Sequence, residues 1–536
     1  MVRDAPNGKI STIAADSNDV LGPVNFEKAI IATGFGKFNV LLFLAALPIG
    51  WAGTFDTTTA AFFMASAECD LQLTFFRKGV LVAFPYIGMV LTSFLWDYIT
   101  PYTGMRTLFV LAMLADSLLN ILSSSADSYY VFLLVKFLTG ILAGGPLAMV
   151  MPYLSEFHAS KYKAQFTRWA GFILAVANIV PAAIGFSVLP LPWSFVIFGR
   201  EYNAWRIYIL ICSIVPVLGL VTSCILPDSP KYLMEIGRPE EALHLLRTMY
   251  WLNTGKPANT FPIKALLAPQ KAELSRPLLK MYSEKIRLAW YNTKLLFSTA
   301  YLPAVFYLCF LQFGSMLGFN VMRLWVPHLF IILNNFDAEN WTPNGRAPTI
   351  CEMLDRRAAL PARPNLDCPN FQDTCIDWVI RPAIYQNSTM IASSAVLFSF
   401  LLGFFTTTHC RNKLVILSAF LISVLSSFGI NWAQAPPYML TLAAAIIVTG
   451  RIAGNIVTAV NADVIPIPLR PTSISLLTFV GNMAAIIGNM VFTALLGLEC
   501  LSAYIGMGCL FVGCACLSIF QPKPPRTPAK NLANGM

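Results

Sequence analysis

Residues Lys136–Glu156 read KFLTGILAGGPLAMVMPYLSE, an apolar run long enough to cross a bilayer, crowded with small residues and carrying one cation near its start. The run has an echo. Thr449–Asp463 reads TGRIAGNIVTAVNAD, so Thr139, Gly140, Ala143 and Gly144 recur as Thr449, Gly450, Ala453 and Gly454. Matching small-residue helices in corresponding halves of a membrane chain point to a duplicated transporter, with its substrate path where the repeats meet. Gly140, Gly144, Gly145, Gly450 and Gly454 are then expected at close helix contacts. Pro146 and Pro152 are expected to bend the fourth helix.

Composition sets the class. Of 536 residues, 56% are hydrophobic and only 12% charged, and the mean hydropathy is +0.63. So few charges cannot cover a soluble protein of this length. The net charge of +10 sits in loops flanking apolar runs, the positive-inside pattern, so no nucleic-acid partner is expected. Residues 1–37 are polar and mixed in charge, and the first helix, rather than a secretory leader, is expected to direct insertion.

A window of about 19 residues finds apolar segments at Phe38–Met64, Gly79–Ile99, Met105–Ser123, Tyr129–Tyr153, Trp169–Leu189 and Trp205–Leu226. A second six follow at Pro303–Leu333, Ser388–Thr408, Lys413–Ile430, Pro437–Val460, Thr472–Leu498 and Ala503–Phe520. The pattern predicts an all-α membrane protein of twelve transmembrane helices, in blocks at 38–226 and 299–521, joined by a polar loop at 227–298. Tails at 1–37 and 522–536 complete the chain. An even count puts both tails on one side. Eleven lysines and arginines, from Lys231 to Lys294, lie in the central loop, while the short loops 124–128 and 431–436 carry none. Tails and central loop are therefore expected in the cytoplasm, and the chain in the plasma membrane or a vesicle membrane.

The opposite face carries a polar insertion, 334–386, with Cys351, Cys368, Cys375 and a glycosylation sequon at Asn340; a second sequon begins at Asn387. Both features suit an oxidising, exoplasmic compartment. Three cysteines cannot all pair among themselves, so Cys69 or Cys500 is the candidate fourth.

The motifs of soluble enzymes are missing. There is no GxxxxGK[ST] loop, no HExxH and no CxxC, and the four histidines are scattered. No enzyme activity, cofactor or metal site is expected; what remains is movement of a solute down or against a gradient.

Lys136–Glu156, Leu191-Pro-Trp-Ser-Phe, Trp205-Arg206, the turn Pro227-Asp-Ser-Pro-Lys-Tyr-Leu and Gly237-Arg-Pro-Glu-Glu-Ala-Leu together resemble the synaptic vesicle glycoprotein 2 branch of the major facilitator superfamily. That branch is similar to organic-ion and sugar porters. The resemblance runs from about Phe35 to Gln521 and implies the major facilitator fold: two six-helix bundles around a central cavity lined by the first, fourth, seventh and tenth helices. Departures accompany it. Of the family's charged latch between helices two and three, only Gly104 and Arg106 match, and Pro101 stands where an Asp is usual. Gly53 replaces one acid of the pair in helix one, leaving Asp56.

Charges inside helices cost roughly 2.5–3.5 kcal/mol each at a helix centre, so they mark function. Asp56 and Lys136 both fall about 10–12 Å deep from the outer face, and a pair that opens when substrate or proton arrives would couple binding to movement. Arg323 lies at similar depth and Arg451 deeper, the latter suited to bidentate capture of a carboxylate or sulfate. Asp116 is expected to be a structural contact outside the path. With Lys136, Arg323 and Arg451 set against two acids, an organic anion or zwitterion is the favoured substrate, with a proton or ion as the coupling partner. At the cytoplasmic helix ends, Glu156, Asp228, Lys231, Asp463 and Arg470, with Gly104 and Arg106, are expected to gate by bridging the bundles in one state. The chain is expected to be a monomer whose partners are solute and lipid. The opposing reading is a transport-silent receptor or trafficking protein of the same fold.

Overall fold

A computed structural model describes residues 24–197, 199–267, 287, 290–334, 348–359, 380–406 and 408–522. Among them twelve helices are long and apolar enough to cross a membrane. They are Lys37–Phe63, Phe75–Ser93, Met105–Ser124, Tyr129–Ser155, Gln165–Val188, Ala204–Ile225, Leu302–Asn334, Pro382–Phe405, His409–Trp432, Pro436–Val464, Arg470–Leu498 and Cys500–Ser518; we number them as spans one to twelve. Helix is the form such sequences take, because lipid offers no partner to a backbone N–H or C=O. The face where span one begins and span twelve ends is the tail face; the other is the loop face.

Spans one to six form one bundle and seven to twelve the other. They meet along two seams, span two against span eleven and span five against span eight. Small residues set the closest approaches within the bundles. A Cβ on Gly140 would lie 2.2 Å from the carbonyl oxygen of Pro85 in span two. One on Gly450 would lie 2.9 Å from that of Ser315 in span seven. The echo in sequence therefore packs on non-equivalent neighbours. Gly145 faces the Trp96 ring and Gly454 the flexible end of Met316, while Gly144 has ordinary room, its nearest atom being 3.4 Å away. Close packing is thus a requirement at Gly140 and Gly450 and not at Gly144. Pro146 and Pro152 lie inside the fourth helix.

Gly104 turns the chain between spans two and three at φ 75°, with the Tyr232 ring 2.9 Å from where a Cβ would stand. On the tail face, Asn253 fastens a helix of the central loop, Pro239–Thr254, to the start of span one. Its side chain donates to the Thr33 and Gly34 carbonyls and to Asn39 Oδ1, and accepts from the Phe38 N–H.

On the loop face Cys351, in the short helix Ile350–Ala359, is joined by a disulfide to Cys500 at the start of span twelve. Cys69 is disulfide-bonded too. Cys500, one of the two candidate partners, is therefore the one that takes Cys351. Cys368, Cys375 and Asn340 lie outside the described residues. Asn387 sits half-buried in the second turn of the helix Pro382–Phe405, the helix that the second sequon was expected to open. Arg206 clasps the end of span three, donating to the Ser124 and Ala126 carbonyls at 2.9 and 3.0 Å and pairing with Asp127 at 3.1 Å.

Candidate functional site

A cavity lies between the bundles. Thr58, Phe62 and Asn178 line it from the first bundle; Phe319, Arg323, Ser388, Ile447 and Arg451 line it from the second. Its walls are largely apolar, the usual character of a small-molecule site. No acidic side chain is among its lining residues.

Arg323 spans the gap between the bundles. One guanidinium nitrogen donates to Thr58 Oγ1 at 2.9 Å and Asn178 Oδ1 at 2.7 Å; the other donates to the Tyr86 hydroxyl at 2.8 Å and to Asn320 Oδ1 at 3.1 Å. All four acceptors are neutral, and Nε is buried without a partner. Arg451, half-buried, lies over the same aromatic ring as Arg323: the two guanidinium carbons stand 5.3 and 5.1 Å from the centroid of Phe319. Neither arginine has a carboxylate within ion-pair distance among the described residues. Two guanidinium groups in one apolar-walled chamber, both against the Phe319 ring and without a counter-charge among the described residues, make a chamber suited to an anion.

Asp56 and Lys136 are elsewhere. They face a separate pocket inside the first bundle, lined also by Phe55, Thr59, Asn120, Ile209 and Cys212. The two charges make no direct contact, because Asn120 stands between them. Its Nδ2 donates to Asp56 Oδ1 at 2.9 Å and Asp116 Oδ1 at 3.1 Å, and its Oδ1 accepts from Lys136 Nζ at 3.4 Å. The expected direct pair is therefore a four-residue network, and it does not line the central cavity. Asp116, expected outside the machinery, is a full member. Gly53 itself packs against span four: a Cβ there would stand 3.3 Å from the Ala143 carbonyl oxygen, so a larger residue needs that helix to give by a few tenths of an ångström.

On the loop-face side of the cavity the bundles close on one another. Lys78, 1% exposed, pairs with Glu68 at 2.7 Å and donates to His328 Nε2 of span seven at 3.0 Å. Tyr385 of span eight donates to the Phe62 carbonyl at 3.3 Å, and Phe75 stacks on Trp325. On the tail side the fifth and eighth spans touch through aromatic rings, Phe172 on Phe400 at 4.3 Å, with Arg168 over Phe404.

The tail-face charges pair within bundles rather than between them. Arg106 meets Asp228 at 3.5 Å, and Glu156 accepts from Ser229 Oγ. Burial pushes the Glu156 carboxyl above its ordinary range, against the opposing effects of the Ser229 hydrogen bond and the nearby Lys231. Lys231 and Asp463 are exposed, and Arg470 Nε donates to the Ile465 carbonyl at 3.0 Å. No ion pair joins Glu156, Asp228 or Lys231 to Asp463 or Arg470, so the expected bridge between bundles is absent in this conformation.

Residues 42–331 match the profile of the family described as Sugar (and other) transporter. Synaptic vesicle glycoprotein 2B of Rattus norvegicus is 26% identical over 254 residues, covering 46% of this chain and 37% of that protein. Synaptic vesicle glycoprotein 2A of the same species is 27% identical over 244 residues, covering 44% and 33%. The matched region thus spans only about a third of the length of these curated relatives. Among solved structures, the inward open conformation of the xylose transporter XylE from E. coli superposes with a TM-score of 0.62 at 14% identity, covering 92% of this chain and 98% of that one. The nucleoside transporter NupG superposes with a TM-score of 0.55 at 12% identity, covering 92% and 100%. At such identities the likeness is one of fold.

Proposed function

The chain belongs to the sugar (and other) transporter family, and from that premise we propose that it is a secondary transporter moving a small organic anion, or a zwitterion bound through its acid group, by alternating access. One observation supports the substrate class above the rest: Arg323 and Arg451 share the central cavity and both lie against the Phe319 ring, and no acid lines that cavity. A carboxylate about 4 Å from a guanidinium gains roughly 4 kcal/mol at an effective dielectric of 20, which offsets much of the cost of holding the arginine in the membrane.

The two arginines have different tasks in this reading. Arg451 makes no hydrogen bond in the described structure and presents its planar fork to the solute. Arg323 has four donors committed to protein acceptors and only Nε free, so it holds the bundles together on the loop-face side of the solute. An anion drawn toward Nε competes with Thr58, Asn178 and Tyr86 for the guanidinium and loosens that seal. Both tails are assigned to the cytoplasm, which agrees with the basic central loop and with disulfides at Cys351–Cys500 and Cys69 on the opposite face.

The test is uptake of a mixed metabolite panel into cells expressing the chain, read by mass spectrometry, alongside Arg451→Gln. Accumulation confined to anions or zwitterions, lost in Arg451→Gln at unchanged surface expression, is the expected result. Accumulation of sugars, nucleosides or cations that Arg451→Gln leaves intact would overturn the substrate class. No accumulation from a folded protein at the surface would favour a transport-silent receptor.

A further inference from the structure

The loop-face closure holds a buried cation that the anion cavity does not use. Lys78 of span two and His328 of span seven are 1% and 0% exposed, and their side chains meet across the seam between the bundles at 3.0 Å. An ammonium has three donors and no acceptor, so His328 Nε2 receives this bond with its lone pair. The ring is therefore neutral, with its proton on Nδ1. Glu68, at 2.7 Å from Lys78, supplies the counter-charge, and its side chain is 12% exposed. The line Glu68, Lys78, His328 thus starts at the loop-face surface and ends in the opposite bundle.

The surroundings leave His328 as the group that an acid loop face would charge. Span two sets Lys78 and the Phe75 ring against it, and Trp325 of its own helix lies edge-on to it. Arg77, next in sequence to Lys78, turns away to the Tyr129 ring and the Gln72 carbonyl. Other elements also pack on span seven. The short helix Ala60–Phe63 and residues 472–498 of span eleven carry no titratable residue. Glu352 of the helix Ile350–Ala359 accepts from the Thr349 N–H at 2.7 Å. Tyr385 of span eight donates to the Phe62 carbonyl, Tyr504 of span twelve lies edge-on to Phe492, and Tyr438 of span ten is exposed.

We infer that this contact is an acid-sensitive latch: a proton arriving at His328 from the loop face breaks its bond to Lys78 and frees the bundles to part on that side. A protonated imidazole donates from both nitrogens, so it has nothing to offer an ammonium and repels it. The shut seam gives the two charges no room to separate. Beside Lys78, a Cβ on Gly79 would already stand 2.3 Å from Thr493 Oγ1 of span eleven. Once the face opens, His328 meets water and titrates near the ordinary imidazole value of about 6.5. The proton therefore binds the open face and not the latched one, and acid favours opening by mass action. A step from about pH 7.5 to about pH 5.5 then raises the ratio of open to shut about tenfold. The inference rests on the alternating-access part of the proposed function and on no property of the solute.

Spin labels on Tyr130→Cys and Tyr438→Cys, exposed positions at the loop-face starts of spans four and ten, report the gap between the bundles by double electron–electron resonance. The full-length chain would be measured in lipid nanodiscs with its free cysteines replaced and the Cys351–Cys500 disulfide kept. The expected result is a long-distance population that grows about tenfold relative to the short one between about pH 7.5 and about pH 5.5. In His328→Gln, whose amide oxygen accepts from Lys78 but takes no proton, the distances stay short at both values. In His328→Arg, a fixed cation, they are long at both. A distribution that ignores pH in the otherwise native chain would overturn the inference whether or not the variants fold, as would a pH response that survives His328→Gln. Long distances in His328→Arg beside an unresponsive native chain would sink the latch alone. Short distances in every chain at every pH would sink it and count against alternating access too. No solute enters the experiment, so the latch and the anion reading fail separately.

Discussion

Replacing Arg323 with lysine keeps the charge and removes the planar fork that reaches four acceptors at once. Three of them, Thr58, Asn178 and Tyr86, belong to the opposite bundle, at 2.9, 2.7 and 2.8 Å. A hydrogen bond to a charged group contributes about 1.5–3 kcal/mol net. A shorter ammonium keeps one of the three, so the loss is about 3 kcal/mol at the lower end of that range. Part of this returns when the freed hydroxyls and amide take up water in the opened cavity, which leaves about 2 kcal/mol, or roughly 30-fold, in the balance between sealed and open loop faces. The assay is the rate at which a membrane-impermeant thiol reagent, applied from the loop face, labels Ser388→Cys in the cavity wall, with the free cysteines replaced. Arg323→Lys is expected to raise that rate about 30-fold. A rate unchanged by Arg323→Lys, with Ser388→Cys fully reactive in unfolded protein, would refute the idea that Arg323 closes this side.

Three further outcomes follow from the same geometry. Gly140→Ala drives a Cβ to 2.2 Å from the Pro85 oxygen and is expected to cost at least about 1–3 kcal/mol, seen as a lower melting temperature, whereas Gly144→Ala, with 3.4 Å of room, leaves melting unchanged. Cys351→Ser and Cys500→Ser each remove a link between positions 149 apart and are expected to lower stability by about 2–4 kcal/mol, with the double variant no worse than either single one. Glu156 has a folded-state pKa raised by burial, so the native chain binds its proton more tightly than the unfolded chain does. Stability from this group is present below the ordinary carboxylate range and is lost as pH rises through the raised folded value. Glu156→Gln should therefore flatten the fall in melting temperature over that window; an unchanged pH profile would contradict the assignment.

Fold was legible because the signal for a span is length and hydropathy, and burial in lipid or protein leaves both intact. The twelve helices accordingly fall within a few residues of the runs read from sequence, and Arg323 and Arg451 stand in the cavity where their depth placed them. Depth along a helix axis is countable from sequence; direction around it is not when the helix is apolar on all sides. Asp56 and Lys136 therefore had the right level and the wrong chamber, turned into the first bundle rather than between the bundles. Asn120 was invisible for the opposite reason, being neutral, although its place four residues after Asp116 puts both on one face of span three. Lys78 follows Arg77 at the start of a helix and reads as an ordinary flanking cation. It is buried because the chain from Met64 to Leu73 folds back over it, bringing Glu68 to within 2.7 Å. The tail-face charges carried a fold-level expectation of bridging, and a single conformation pairs them within each bundle instead.

The central claim is that the two arginines of the cavity select a negative charge, and the most direct measurement isolates charge from shape. Melting of the purified chain would be recorded with matched pairs that differ only in ionisation: benzoate against benzamide, and glutarate against glutaramide. A ligand that binds only the folded state raises the melting temperature in proportion to the logarithm of its concentration over its Kd. The account predicts that a carboxylate stabilises the chain, that its amide does not, and that Arg451→Gln erases the difference. Equal stabilisation by acid and amide, or a difference that survives in Arg451→Gln, would contradict it.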